Sequence, residues 1–70
     1  MNENIFLEKM KDLTDNDSLT MATVLNDMEE WDSVSVLGYV SIALDCSKKI
    51  TAEQIRNCGT IADLYALLQQ

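Results

Sequence analysis

The side chains able to do chemistry are few. Two serines each follow an aspartate, Ser18 after Asp17 and Ser33 after Asp32; beside them stand the acidic pairs Asp15/Asp17 and Glu29/Glu30, and two thiols, Cys46 and Cys58. No histidine occurs in the 70 residues, which removes the usual base of a Ser-His nucleophile and a common nitrogen ligand for zinc. Asp15-Asn16-Asp17 begins like a calcium loop, but Leu19 and Thr20 stand where a ligand and the turn glycine belong. Two cysteines are too few for a disulfide framework and read as semi-buried thiols. Glu29-Glu30 has the chemistry for acid–base work, yet a chain this short has little material for a substrate cleft as well as a core, so a solvated charge run is the better reading. The expectation is a protein without catalytic or metal-binding residues.

What remains is Trp31-Asp32-Ser33-Val34. A serine in the first turn of a helix lies beside free backbone N–H groups at the positive end of the dipole, a favourable place for a phosphodiester. Asp32 can cap that turn through the N–H of Val34 or Ser35. Asp-Ser is also an ordinary helix start, and Asp17-Ser18-Leu19 supplies the same dipeptide, so position must decide. Ser18 directly follows a first helix and precedes the interrupted run Thr20-Met21-Ala22-Thr23. Ser33 has a long connection before it, Trp31 at the junction and eleven largely apolar residues after it.

The elements that must hold this serine follow from periodicity. Phe6, Met10 and Leu13 fall at i, i+4 and i+7 among charged residues, which predicts an amphipathic helix over residues 4–13, capped by Asn2 or Asn4. The polar cluster of residues 14–18 favours turns and ends it. Residues 15–32 have no strong period, although Leu25, Met28 and Trp31 recur every three residues and can pin a long connection to a core. Residues 33–44 contain β-branched Val34, Val36, Val40 and Ile42, but alternation fails at Val36-Leu37 and Tyr39-Val40. Asp32 is a good N-cap, and Trp31 can meet Val36 as a hydrophobic staple, so the segment reads as a second helix. Gly38 in its interior costs about 0.8–1 kcal/mol relative to alanine and implies a close approach there. Lys48-Lys49 fall at the end of this helix, where the dipole favours cations. Thr51-Ala52-Glu53-Gln54 has the spacing of a capping box and opens a short helix ended by Gly59; Thr60-Ile61-Ala62-Asp63 offers another cap before a final helix marked by Ile61, Leu64 and Leu68. The fold class is all-α, a small bundle of three main helices plus one short one, in a single domain over residues 1–70 with a long acidic loop between the first two main helices.

Composition agrees. The hydrophobic share is 47%, and two glycines with no proline leave little material for a many-stranded fold. At this length folding buries only about 60% of the unfolded chain's surface. Twelve acidic residues against five basic ones give a net charge of −7, unsuited to nucleic acid or an anionic membrane surface. Seven of the acids lie in residues 12–32, which hold no Lys or Arg, while the other five are matched by the five basic residues elsewhere. Asp27, Glu29 and Glu30 thus place the excess charge just before Ser33 and point to partners with basic surfaces. No run approaches the roughly 18 apolar residues of a membrane span, and Met-Asn-Glu-Asn lacks the positive flank of a signal peptide, so the chain is expected to be cytoplasmic.

The segment Glu30-Trp31-Asp32-Ser33-Val34 followed by a helix, then Ile50-Thr51-Ala52-Glu53, then Thr60-Ile61-Ala62-Asp63-Leu64, resembles an acyl carrier protein along essentially the whole chain. The resemblance implies that Ser33 carries 4′-phosphopantetheine, taken from coenzyme A by a phosphopantetheinyl transferase, whose thiol holds an acyl group as a thioester. It also implies that Asp32 supports the modification, that exposed Val34 and Val36 touch partners, and that the carrier works as a monomer. The partners implied are acyl-activating, ketosynthase or acyltransferase enzymes with basic surfaces. The familiar carriers of fatty-acid synthesis have glutamates along the helix after the serine, whereas residues 33–44 here carry no charge. A specialised carrier for a surface glycan, lipid or secondary metabolite fits that difference better. An aminoacyl carrier of the D-alanyl type, and a helical interaction module without a prosthetic group, remain alternatives.

Overall fold

The computed structural model describes residues 1–69, with four helices: α1 (Glu3–Thr14), α2 (Ser33–Asp45), α3 (Ala52–Arg56) and α4 (Ile61–Leu67). Three have seven or more residues and one is short, as the sequence predicts; among the described residues no strand forms beyond one isolated bridge.

α1 starts where Asn2 accepts a hydrogen bond from the N–H of Ile5, and it buries Phe6 and Met10 as its period requires. It runs one residue past the predicted end. Thr14 stays helical and buried because its hydroxyl donates to the carbonyl of Met10 at 2.8 Å, satisfying the polar group within the helix. Asp15 then adopts a left-handed conformation and the N–H of Asn16 returns to the carbonyl of Lys11.

α2 packs on α1, and its Tyr39 and Ala43 are both fully buried. Tyr39 stands edge-on to Phe6 at 6.2 Å and to Trp31 at 6.5 Å, and its hydroxyl donates to the carbonyl of Leu64 at 2.7 Å. That bond satisfies a carbonyl in the last turn of α4, which the helix itself leaves open. Gly38 has the close neighbour its position implies: a Cβ there would lie 2.0 Å from Cδ1 of Leu13, so α1 rests directly on the α2 backbone.

α2 ends in a Schellman turn. Ser47 takes the left-handed position at φ 62°, with its N–H on the carbonyl of Leu44 and that of Lys48 on the carbonyl of Ala43. Lys48 and Lys49 follow the C-terminal end of the helix, Lys48 closing the Schellman turn, and the last helical turn itself holds no basic residue.

α3 opens on the capping box of Thr51 and Gln54 and closes before Gly59, at Asn57, whose N–H reaches the carbonyl of Glu53. Gly59 does not cap the helix; its N–H donates to Asp63 and its carbonyl accepts from Leu25. The head of α4 is fully paired: Thr60 and Asp63 form a reciprocal box, while the N–H groups of Ile61 and Ala62 reach back to the carbonyls of Thr23 and Met21. The connection of residues 15–32 is thus tied to α4 by backbone bonds and to the core by buried Leu19, Leu25 and Met28, with a 3₁₀ turn at Leu25–Asp27.

Candidate functional site

Ser33 is the first residue of α2, exposed, and its hydroxyl has no hydrogen-bond partner among the described residues. Asp32 caps the helix, one carboxylate oxygen accepting from the N–H of both Val34 and Ser35 at 3.1 Å. This changes the expected electrostatics. The cap expected on Val34 or Ser35 takes both N–H groups at once, leaving only that of Ser33 in the first turn without a partner among the described residues. A phosphodiester on Ser33 would sit in solvent beside a carboxylate, with no preformed cradle.

The turn that presents Ser33 is held by Glu30. Its carbonyl accepts from the N–H of Asp32 at 3.1 Å and from the hydroxyl of buried Ser35 at 2.5 Å, and its carboxylate accepts from the amide of Asn16 at 2.6 Å. Of the four carboxylates assigned to partner recognition, Asp27, Glu29 and Asp32 are exposed, Asp32 while capping α2, whereas Glu30 is half-buried and engaged in this clamp. Ser18, the competing serine, lies in a turn whose N–H bonds the side chain of Asn16, with no helix starting there.

Val34 is 71% exposed, as expected of a partner contact, but Val36 is not. Val36 is half-buried because residues 35, 39 and 43 form the inward stripe of α2, and position 36 lies at its border. The outward stripe is instead Val34, Leu37 and Leu44, the latter two 69% and 57% exposed. Their spacing was visible in the sequence, yet with apolar residues on every side of this helix nothing local marks the outer face.

Trp31 and Val36, two residues before Ser33 and three after it, help to line a cleft of about 230 Å³ whose other walls are Leu25, Asn26, Ile55 and Arg56, with Ala52 and Cys58; Ser33 itself is not part of the lining. Trp31 and Val36, the pair expected to staple the start of α2, both face the cleft. Its volume is below the roughly 300–1,000 Å³ of pockets that bury a drug-sized ligand, so it suits a short chemical group. Asn26, Arg56 and Cys58 were missed by sequence reasoning, since only the packing of α3 against residues 25–31 brings them together.

Cys46 and Cys58 are free, half-buried thiols. Burial, and secondarily the charge of Asp63, raises the pKa of Cys58, whose Sγ lies 3.4 Å from the carbonyl of Gln54. It is therefore protonated at neutral pH and a poor nucleophile. The N–H of Gly59 and then that of Thr60 lower the pKa of Asp63 from its ordinary value, so it keeps its capping charge to lower pH than a free aspartate would. Among the described residues, no group of three His, Cys, Asp or Glu side chains converges to hold a metal, and no helix is long and apolar enough to cross a membrane. Comparison with protein-family models, curated proteins and solved structures gives no match to this chain.

Proposed function

We propose that the protein is a covalent acyl carrier, with 4′-phosphopantetheine esterified to Ser33. The observation that carries this reading is an exposed serine hydroxyl, without a hydrogen-bond partner among the described residues, at the head of a 13-residue helix whose flanking Trp31 and Val36 line a small apolar-walled cleft. Attachment there breaks no bond of the fold, whereas the hydroxyl of Ser35 is buried and committed to Glu30. The resemblance of residues 30–34, 50–53 and 60–64 to acyl carrier proteins supports the same choice.

The arm supplies a thiol that holds an acyl group as a thioester. The chain's own part is presentation. Asp32 fixes the first turn so that the Ser33 hydroxyl projects outward, and the Glu30 clamp ties that turn to the end of α1 through Asn16. In modification the serine oxygen forms a bond to phosphorus as coenzyme A releases its adenosine bisphosphate, with the hydroxyl proton passing to the transferase. Exposed Asp27 and Glu29 draw enzymes with basic surfaces toward the serine, and Val34 lies beside it as an apolar contact. A specialised pathway and a cytoplasmic setting, where coenzyme A and the transferase are found, belong to this reading.

The exposed stripe of Val34, Leu37 and Leu44 favours a second reading, an interaction module with no arm. Intact mass after incubation with coenzyme A and a broad-specificity phosphopantetheinyl transferase separates the two. A gain of one arm, lost in Ser33→Ala and kept in Ser18→Ala, is the expected result. No gain with several transferases removes the carrier reading, and a gain lost only in Ser18→Ala moves the site.

A further inference from the structure

The cleft lined by Trp31 and Val36 differs in charge from the chain that forms it. The protein has twelve acidic residues against five basic ones, and Asp27, Glu29 and Glu30 lie within a few residues of cleft-lining Asn26 and Trp31. Yet no acidic side chain lines the cleft, and its one charged lining residue is Arg56. Arg56 ends α3, and no ion pair or side-chain hydrogen bond holds its guanidinium among the described residues. Asn26 adds an amide to the same wall, while Leu25, Trp31, Val36, Ala52 and Ile55 supply apolar surface. Apolar walls with a few convergent polar groups are the usual makeup of a small-ligand site, the polar groups selecting the ligand's end. A guanidinium matches a carboxylate through paired N–H donors, which a neutral methyl end cannot use.

From this we infer that the cleft receives a short acyl group ending in a carboxylate, its methylenes against Trp31 and Val36 and its carboxylate on Arg56, with Asn26 as a further donor. The inference rests on Ser33 as the attachment site for delivery of the cargo, but the selectivity belongs to the cleft. Butyryl and succinyl groups have the same four-carbon backbone and differ at the far end, methyl against carboxylate, so they isolate the part played by Arg56.

Trp31 is the sole tryptophan and lines the cleft, which makes its emission a direct readout. The arm alone, its butyryl thioester and its succinyl thioester are loaded on Ser33, and Trp31 emission and the side-chain NMR signals of Arg56 are compared. The expected result is that succinyl shifts both signals more than butyryl, and that Arg56→Gln removes the difference while arm attachment, read by mass, is unchanged. Equal shifts for the two cargoes, or a difference that survives Arg56→Gln, overturns the inference. An effect of Arg56→Gln on the unacylated arm that is as large as its effect on the succinyl form assigns the anion to the phosphodiester and likewise overturns it. If Ser33 accepts no arm, the carrier reading falls and the cleft is tested separately, with succinyl and butyryl thioesters of N-acetylcysteamine titrated into the unmodified protein. Succinyl binding roughly two- to fivefold tighter, the range of a solvent-accessible ion pair, supports the cleft assignment; equal affinity or no saturable change in Trp31 emission overturns it.

Discussion

Replacing Gly38 by alanine sets two effects of known sign against each other. A mid-helix glycine costs about 0.8–1 kcal/mol relative to alanine, so propensity alone makes Gly38→Ala stabilising. The new Cβ, however, falls 2.0 Å from Cδ1 of Leu13 and 3.0 Å from its Cδ2 and Cγ, where carbon atoms pack comfortably at about 3.5–4.0 Å. Leu13 must withdraw by roughly 1.5 Å from α2 to restore that spacing. Overpacking costs about 1–3 kcal/mol, and because the atom in the way is the end of a flexible, half-buried side chain the cost here lies at the low end, so the two effects nearly cancel and Gly38→Ala is expected to change stability by no more than about 0.5 kcal/mol. Leu13→Ala separates the terms. Alone it removes a half-buried leucine and costs about 1.5 kcal/mol, below the roughly 2–5 kcal/mol of a fully buried one. In that background Gly38→Ala meets no obstacle, and the helix propensity of the new side chain gives back about 1 kcal/mol, a coupling of about 1 kcal/mol between the two sites. Urea unfolding of the four proteins, followed by Trp31 emission and far-ultraviolet circular dichroism, measures the cycle. Stabilisation of about 1 kcal/mol by Gly38→Ala in both backgrounds would refute the close approach of α1 to α2.

Other perturbations follow from single bonds. Tyr39→Phe leaves the buried carbonyl of Leu64 without its donor and is expected to cost about 1–3 kcal/mol in urea unfolding. Burial, then the nearby Cys58 and Cys46, raises the pKa of Tyr39 above its ordinary value near 10; its contribution is therefore complete below about pH 10 and is lost as pH rises from there toward the folded value. The unfolding midpoint should fall above that pH, more steeply than in Tyr39→Phe. Ser47 occupies a left-handed backbone position, so Ser47→Gly is expected to stabilise by about 0.5–1 kcal/mol, read as a higher Tm. Neutralising Asp27 and Glu29 together should slow arm attachment at low salt and flatten its salt dependence, with Glu30 left in place to keep its bond to Asn16; unchanged rates at low salt would remove the steering role.

What could be read from the sequence was what depends on near neighbours. Asn2, Asp32, Thr51 and Thr60 cap their helices through bonds spanning two or three residues, and each cap was legible from residue type and spacing. The helical character of α2 was legible for the same reason, despite its β-branched residues. Its orientation was not. Serine, tyrosine and alanine at 35, 39 and 43 face inward while Val34, Leu37 and Leu44 face out, because Ser35 finds a partner in the carbonyl of Glu30 and Tyr39 one in Leu64. Those partners are five and 25 residues away and leave no local mark. Gly59 misled in a related way: it looked like a helix stop, but its place is set by backbone pairing with Leu25 across the molecule. The serine was a candidate from its surroundings in the sequence; the cleft lined by its neighbours Trp31 and Val36 required α3 to be in position.

The pairing of residues 21–25 with the head of α4 bears on the order in which the molecule assembles. A seven-residue helix is far below the roughly 12–15 residues at which isolated helices become even marginally stable in water. Two of its first N–H groups have their acceptors some forty residues upstream, in Met21 and Thr23, and Leu64 offers its carbonyl to Tyr39. α4 therefore forms late, after a large loop has closed, and α2 reaches its final hydrogen bonding only when α4 docks. α2 and α4 are then expected to open together, and the amides of Ile61 and Ala62 should exchange with solvent as slowly as those at the centre of α2, both through global opening. Slow exchange in α2 with rapid exchange at Ile61 and Ala62 would mean instead that α4 detaches on its own.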